Sequence, residues 1–427
     1  MRRSFRIISM KTSLLGLLVL GLIACTSVPN VTDAGADGLD PSSDSKGPTA
    51  PLSARAKTAI ARMPKEYGGE LQKALAAAGE NQSELIGAME KAKNERREGV
   101  AFLIANMPRR DLVSLKSDFI LRNVECAYLA REKSPWGRDI PNDLFLNYVL
   151  PYVNVNERRD DWRQDFYERF MPVVQECKTP SEAALTLNKE VFERLNVKYH
   201  ASKRPKPDQS PYETLEAEGY ASCTGLSIML TDACRAVGVP ARVAGTPMWT
   251  TVRGNHTWVE IWDEGWHYIG AAEQSPLSRA WFGERAAEAI DGDMRHQIYA
   301  ASFRKTSLPF PLVWDRDIQY VPARNVTPYY TSRRNVTLKV LDKSGGKPWK
   351  AIVTFRLDGE TYARCRTGKG EDAAQLELPG GKTYEADVAP AKSSSLGRML
   401  RREKAFTTTV ETSQEDGQEI VICPKTD

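Results

Sequence analysis

The first half of the chain places its apolar residues at helical spacing. From residue 54 to about residue 200 they recur every three or four positions, as in the runs 70–79 (ELQKALAAAG), 99–108 (GVAFLIANMP) and 182–195 (EAALTLNKEVFERL). This spacing matches the α-helical period of about 3.6 residues. The pattern predicts a helical region at 54–110, which either covers a site or belongs to the domain at 111–329.

Past residue 240 the apolar positions alternate with a period of two. The runs 241–249 (ARVAGTPMW), 256–263 (HTWVEIWD) and 266–272 (WHYIGAA) predict consecutive antiparallel strands joined by short turns. From residue 330, seven short runs separated by turn residues predict a small β-sandwich at 330–427. Helices followed by antiparallel strands indicate an α+β fold.

The first residues carry a secretory signal. A basic start is followed by a short apolar stretch and the tetrad LIAC, which ends at Cys25 and resembles the lipobox of bacterial lipoproteins. Residues 1–25 are thus expected to be a lipoprotein signal peptide, with Cys25 as the lipidated residue. Thr26 favours the outer membrane over the inner, and 26–53, rich in Pro, Gly, Ser and Asp, predicts a flexible linker. An ordinary cleaved signal with a chance cysteine is the alternative.

Composition narrows the possible partners. Hydrophobic residues make up 41% and charged residues 27% of the 427 residues, as in a soluble globular protein. The formal net charge of +4 gives no field that favours nucleic acid. No Cys-x-x-Cys pair or His-Glu-x-x-His run occurs, so neither a metal nor another cofactor is expected.

Cys223 stands at the start of an amphipathic segment. Apolar residues recur at helical spacing from 226 onward, and Gly238 and Pro240 supply a stop, which predicts a helix over 223–237. In the first turn, unpaired N–H groups and the helix dipole favour a thiolate and can hold an oxyanion. Most free cysteines are small buried apolar residues, so simple packing is the other interpretation.

A candidate base favours the catalytic interpretation of Cys223 over simple packing. The chain has four histidines, and His256 opens a predicted strand 33 positions after Cys223. If Val259 and Ile261 face the core, His256 and Trp258 share the opposite face of the strand. A strand packed on the cysteine helix would present the imidazole there.

This order resembles the transglutaminase-like superfamily, which has a papain-like cysteine core. In that family a cysteine opens a helix, a strand carries His-x-Trp-x-Glu, and the next strand starts with Trp and carries an aspartate. The resemblance makes Cys223 the nucleophile and His256 the general base, and matches Trp258 and Glu260 to the strand motif. It extends over about residues 110–285 and includes a segment at 139–163 similar to the bacterial branch.

One position departs from the family pattern. Gly270 stands where the family has its aspartate. Glu273 is the nearest candidate for the third catalytic residue, and it reaches His256 only if the chain turns after Ala271. The third member of a triad mainly fixes the imidazole tautomer, so a displaced glutamate could act. Asn255 and solvent stay open as alternatives, whereas Asp263 is disfavoured at the hairpin end.

Two functions from different classes remain. The first is a lipid-anchored cysteine enzyme that attacks an amide or peptide bond of an envelope substrate through a thioester, with hydrolysis favoured over crosslinking. The second keeps the fold as a surface binding or scaffolding lipoprotein whose triad has decayed at Gly270. Among the aromatic residues, Trp258 and Tyr220 are the candidates for substrate contact, the latter at the cleft mouth.

Overall fold

The computed structural model describes residues 52–315, 320–367, 373–391 and 405–424. The predicted signal peptide, Cys25 and nearly all of the predicted linker lie outside these residues. Within the described part, no helix has the length and apolar character needed to cross a bilayer.

The first half is helical, as the spacing predicts. One helix, residues 96–106, is apolar nearly all round: residues 100 to 105 are each at most 2% exposed, so this helix lies at the centre of the bundle. The described helices before the first strand are Ala54–Ala61 (α1), Gly68–Ala77 (α2), Gln82–Lys91 (α3), Arg96–Asn106 (α4), Arg109–Leu112 (α5), Ser117–Lys133 (α6), Asn142–Leu144 (α7), Arg163–Phe170 (α8) and Pro180–Arg194 (α9).

A six-stranded antiparallel sheet follows, in the order β5-β4-β3-β6-β8-β7. The alternating pattern predicts its first three strands and these are confirmed, whereas the last three have two to four residues each, too few to show a period. The elements are Lys198–Tyr199 (β1), Pro211–Glu216 (α10), Tyr220–Ala221 (β2), Cys223–Ala236 (α11), Ala241–Thr246 (β3), His256–Trp262 (β4), Trp266–Ile269 (β5), Gly283–Ala287 (α12), Tyr299–Ala301 (β6), Leu308–Pro309 (β7), Pro322–Asn325 (β8) and Thr327–Thr331 (α13).

Helix α11 packs against β3 and β4, and a buried arginine fixes its C-terminal end. Arg235 is 2% exposed. Its Nε donates to the carbonyls of Tyr148 (3.1 Å) and Ala241 (3.0 Å), and its Nη1 donates to that of Val153 (2.8 Å). Gly238, at φ +80°, ends the helix close to the predicted position. The helix is therefore tied to the first residue of β3.

The C-terminal strands form two sheets that share one apolar core, which we call the C-terminal sheet pair. One sheet has the order β11-β10-β13-β14 and the other β12-β9-β15. Each of the seven predicted runs contains one strand. The strands are Arg333–Val340 (β9), Ala351–Leu357 (β10), Glu360–Arg366 (β11), Ala374–Pro379 (β12), Thr383–Pro390 (β13), Phe406–Glu411 (β14) and Gln418–Ile422 (β15).

One carboxylate of the C-terminal sheet pair has its partners in the preceding part of the chain. Glu360 is 7% exposed and accepts hydrogen bonds from Asn147 Nδ2 (2.9 Å) and Tyr148 Oη (2.7 Å). It also forms an ion pair with Arg324 (2.9 Å). Because the partners of this buried charge lie outside the sheet pair, side-chain contacts as well as the backbone join the sheet pair to the preceding part of the chain.

Candidate functional site

Cys223 is the first residue of α11 and is half-buried. The helix starts there because Ser222 caps it: Ser222 Oγ accepts from the Gly225 N–H (3.1 Å) and donates to the carbonyl of Pro207 (2.5 Å). The thiol therefore lies in the first turn, where the helix dipole favours negative charge.

Two threonines join the start of α11 to the start of β4. The hydroxyls of Thr224 and Thr257 are hydrogen-bonded at 3.1 Å, and both residues are buried. Thr224 follows Cys223 directly, and Thr257 follows His256 directly. The cysteine and the histidine selected from the sequence therefore stand at the meeting point of the same two elements.

The imidazole of His256 lies among four aromatic rings. Its ring centroid is 4.9 Å from that of Trp281, 5.0 Å from Phe282, 5.9 Å from Trp258 and 6.2 Å from Trp249. Nε2 is buried and has no hydrogen-bond partner among the described residues. A neutral imidazole has one N–H donor and one nitrogen that accepts a proton, so Nε2 can take either role.

Burial lowers the pKa of His256 to about 3, and the positive charge of Arg285 contributes in the same direction. The desolvated cation is unfavourable inside an aromatic shell. His256 is consequently neutral near physiological pH. It can accept the proton of a thiol, and a carboxylate brought close to it would raise its pKa.

Trp258 forms the inner wall of this aromatic shell. It is 0% exposed, stacks between Trp249 (6.1 Å) and Phe282 (4.7 Å), and donates its Nε1–H to Tyr330 Oη (2.8 Å). A fully buried ring does not reach a bound substrate, so the structure does not support the expected substrate contact of Trp258. Its position supports the imidazole instead.

Tyr220 stays at the surface of the site. It is half-exposed, and the Lys203 ammonium lies 4.6 Å from its ring centroid. His200 packs edge-on at 5.3 Å. Tyr220 lies in β2, three positions before Cys223.

The turn that Glu273 requires is present. The Glu273 N–H donates to the carbonyl of Gly270 (3.2 Å), and Ala272 adopts a φ of +64°. Asn188 on α9 holds this turn: its Nδ2 donates to the carbonyls of Gly270 (3.0 Å) and Glu273 (2.6 Å), and its Oδ1 accepts from the Ala272 N–H (2.8 Å). The chain therefore folds back at Gly270.

The Glu273 carboxylate occupies the space that a side chain at position 270 would fill. A Cβ atom built on Gly270 would overlap the carboxylate carbon and both carboxylate oxygens of Glu273. Extending the β4–β5 register places Gly270 opposite Trp258, and opposed residues share a face with His256. Glu273 thus supplies a carboxylate at the place where the resemblance expects an aspartate.

The carboxylate has another partner in this structure. Glu273 Oε1 accepts from Trp281 Nε1 at 2.8 Å, and no hydrogen bond joins Glu273 to His256 in the described part of the chain. Burial raises the pKa of Glu273, and the hydrogen bond from Trp281 opposes that rise. Of the other candidates, Asn255 borders the cleft beside His256, and Asp263 accepts from the Ser181 N–H (3.2 Å) at the hairpin end.

Glu260 stabilises the aromatic shell through buried hydrogen bonds. It is 0% exposed and accepts from Arg242 Nε (2.6 Å) and from Tyr330 Oη (2.6 Å). Tyr330 in turn receives the indole N–H of Trp258. This buried carboxylate therefore fixes the inner wall of the shell.

A narrow cleft opens beside His256. Within the described ranges, no three His, Cys, Asp or Glu side chains are grouped as metal ligands would be. The cleft is lined by Gly245, Thr246, Pro247, Asn255, His256, Thr257, Phe310, Pro311, Val313 and Trp314.

Sequence reasoning missed four residues of the site. Thr224 and Thr257 follow the cysteine and the histidine, but only the packing of α11 on β4 pairs them. Asn188 gives no signal because its helix is remote in sequence. Trp281 belongs to an aromatic pair after a loop, a pattern that could have been noticed but that does not reveal a contact with Glu273.

One family model matches part of the chain. Residues 170–271 match the family model of the transglutaminase-like superfamily. This range contains Cys223, His256 and Gly270, whereas Glu273 and Trp281 follow it. No curated protein sequence matches the chain significantly.

Two solved structures resemble parts of the chain. A candidate cysteine protease from Cytophaga hutchinsonii is 16% identical with a TM-score of 0.26, covering 45% of this chain and 66% of that chain. Red sea bream transglutaminase is 12% identical with a TM-score of 0.29, covering 66% of this chain and 60% of that chain. The chain thus spans less than two thirds of either protein's length. From the family match, the chain contains a transglutaminase-like domain at residues 170–271.

Proposed function

We propose that this protein is a cysteine enzyme that cleaves an amide or peptide bond through a thioester. The observation that carries the proposal is the hydrogen bond between Thr224 and Thr257, which brings the helix start at Cys223 and the strand start at His256 together. A thiol in the first turn of a helix beside a neutral imidazole is the arrangement that nucleophilic catalysis requires.

The reaction follows from these groups. The imidazole of His256 takes the thiol proton, and the sulfur of Cys223 forms a bond to the carbonyl carbon, whose π electrons move to the oxygen. The N–H of Thr224 in the first turn is a donor for that oxyanion. Collapse breaks the C–N bond, the imidazolium returns the proton to the departing amine, and a thioester remains. In this proposal Glu273 accepts the other imidazole N–H in the active state.

Hydrolysis is the favoured outcome. Water deprotonated by His256 then attacks the thioester and releases an acid and the thiol. Transamidation would need a bound amine in place of water, and hydrolysis is what the resemblance implies for bacterial members of the family. A peptidase or amidase is therefore proposed ahead of a crosslinking enzyme.

The proposal includes location and domain organisation. Lipidation at Cys25 would anchor the enzyme in the bacterial envelope, with the outer membrane favoured by Thr26, through a linker that ends near residue 53. The C-terminal sheet pair would form a β-sandwich domain at 330–427, attached to the domain at 111–329. Substituting Cys25→Ser should remove incorporated fatty acid and release the protein from the membrane fraction.

A second candidate function is a binding lipoprotein with a decayed site. The specific observation in its favour is that Glu273 is bonded to Trp281 and not to His256. In that case the thiol needs no activation and the fold serves only as a scaffold.

The test measures the alkylation rate of Cys223 by iodoacetamide against pH, mapped by mass spectrometry, in the parent, His256→Ala and Glu273→Gln. An activated thiol reacts below its ordinary pKa of about 8.5 and loses this behaviour in His256→Ala. Cys234 is the internal control, because it is buried and burial raises its pKa to about 12. An ordinary titration indifferent to His256 would leave the binding lipoprotein. Peptide amides with and without a labelled amine then separate hydrolysis from transamidation.

A further inference from the structure

Trp281 contacts both members of the proposed His256–Glu273 pair. Its ring centroid lies 4.9 Å from the imidazole of His256, and its Nε1–H donates to Glu273 Oε1 at 2.8 Å. The neighbouring Phe282 is 0% exposed and packs on the imidazole at 5.0 Å. Trp281 itself is 56% exposed, so it covers the pair from the solvent side.

We propose that Trp281 is a positioning residue that holds the Glu273 carboxylate away from His256 until substrate displaces the indole. This inference rests on the proposed function, since it assigns a resting state and an active state to the same site. In the resting state the carboxylate accepts from Trp281. In the active state it accepts from His256 Nε2.

The unpaired atom explains why the two states compete. Nε2 of His256 is buried and has no hydrogen-bond partner among the described residues. A buried polar atom without a hydrogen-bond partner is unfavourable, so an acceptor that turns toward it stabilises the site. Glu273 is that acceptor, because its carboxylate occupies the side-chain position of Gly270 on the face that His256 shares.

The surroundings of Trp281 permit displacement. Two residues anchor the chain near the indole: Phe282, which follows Trp281, is buried in the aromatic shell, and Asn188 holds the turn that ends at Glu273. The indole itself has a hydrogen bond to Glu273 and a cation–π contact with Arg285, whose guanidinium carbon lies 5.4 Å from the ring centroid. A substrate segment that covers His256 would replace the indole and leave both anchors in place.

Release of the Glu273 carboxylate from Trp281 would change the pKa of His256. A carboxylate that accepts from the imidazole favours its protonated form. Proton transfer from the Cys223 thiol to His256 then becomes more favourable, and each pKa unit gained by the imidazole raises the thiolate–imidazolium population about tenfold. Substrate binding would thereby raise the thiolate population above that of the resting state.

The experiment compares Trp281→Phe with the parent protein. Phenylalanine keeps a ring against His256 but removes the N–H that holds Glu273. The rate of Cys223 alkylation by iodoacetamide near neutral pH should rise about tenfold, and the pH profile should extend to lower pH. In Trp281→Phe/Glu273→Gln the rate should return to that of Glu273→Gln. Met294→Ala, an exposed residue of the same region (60% exposed), controls for general loosening and should match the parent.

The outcomes separate this inference from the proposed function. If Cys223 reacts in a His256-dependent manner in the parent and Trp281→Phe leaves its rate unchanged or lowers it, the positioning role is wrong and the enzyme remains. If Trp281→Phe raises the rate equally with and without Glu273, the indole acts only as a cover. If Cys223 shows an ordinary thiol titration in every variant, the proposed function itself fails.

Discussion

Thr224 and Thr257 form a 3.1 Å hydrogen bond between their hydroxyls, and this bond joins the first turn of α11 to the start of β4. Each threonine directly follows a candidate catalytic residue, Cys223 or His256. The relative position of thiol and imidazole therefore depends on this buried pair of hydroxyls.

Replacing one threonine with valine should lower the free energy of unfolding more than replacing both. Thr224→Val leaves the Thr257 hydroxyl buried without its partner, at a cost of about 1–3 kcal/mol in the free energy of unfolding. Thr224→Val/Thr257→Val removes both polar groups and should recover part of that loss. Chemical denaturation measures the free energies, and Thr224→Ser is the matched control that keeps a hydroxyl. A double variant that is no more stable than Thr224→Val would contradict the pairing.

Stability should fall at acidic pH because of His256. Burial lowers its pKa to about 3 in the folded state, against about 6.5 when unfolded. Between these values the unfolded chain binds a proton that the folded chain does not. The free energy of unfolding therefore falls progressively as the pH decreases from about 6.5. In His256→Gln this slope should be smaller.

His267 sets the background of that measurement. Burial lowers its pKa as well, so part of the acid sensitivity should persist in His256→Gln. Unfolding free energies measured at a series of pH values in both proteins isolate the share of His256. Equal slopes in the two proteins would show that the imidazole of His256 is not desolvated.

The family's aspartate should be transferable to position 270. Gly270→Asp alone brings a second carboxylate into the space of Glu273, and their overlap displaces one of them. Gly270→Asp/Glu273→Ala should instead rebuild a carboxylate beside His256 and keep the alkylation of Cys223 dependent on His256. The matched control is Gly270→Ala/Glu273→Ala, which has no carboxylate there and should lose that dependence. Equal rates in both double variants would exclude position 270 as a place from which an acid acts.

The Glu360–Arg324 ion pair should contribute more to stability than a second ion pair that also joins the C-terminal sheet pair to the preceding part of the chain. Glu360→Gln leaves Arg324 without its buried partner, and breaking such pairs costs about 3–5 kcal/mol. The matched control is Glu264→Gln, which removes a 2.5 Å ion pair with Arg364 whose glutamate side chain is 45% exposed. That loss should be about 1 kcal/mol or less. Similar melting temperatures for both variants would contradict the prediction.

The sequence determined the local features of this protein. Helical spacing and the stop at Gly238 predicted α11 to within one residue, because capping and periodicity depend on neighbouring residues. The alternation of apolar and polar residues with a period of two predicted β3, β4 and β5 for the same reason. Cys223 and His256 could be selected because a helix start and a strand start are visible in one dimension.

The tertiary structure alone decided which side chains meet. Glu273 returns to the place of the missing aspartate because Asn188, on a distant helix, holds the turn. Its bond to Trp281 and the burial of Trp258 likewise depend on long-range packing, which no local period records. Partner choice is a competition among groups brought together by the whole fold, so it appears only when the chain is folded.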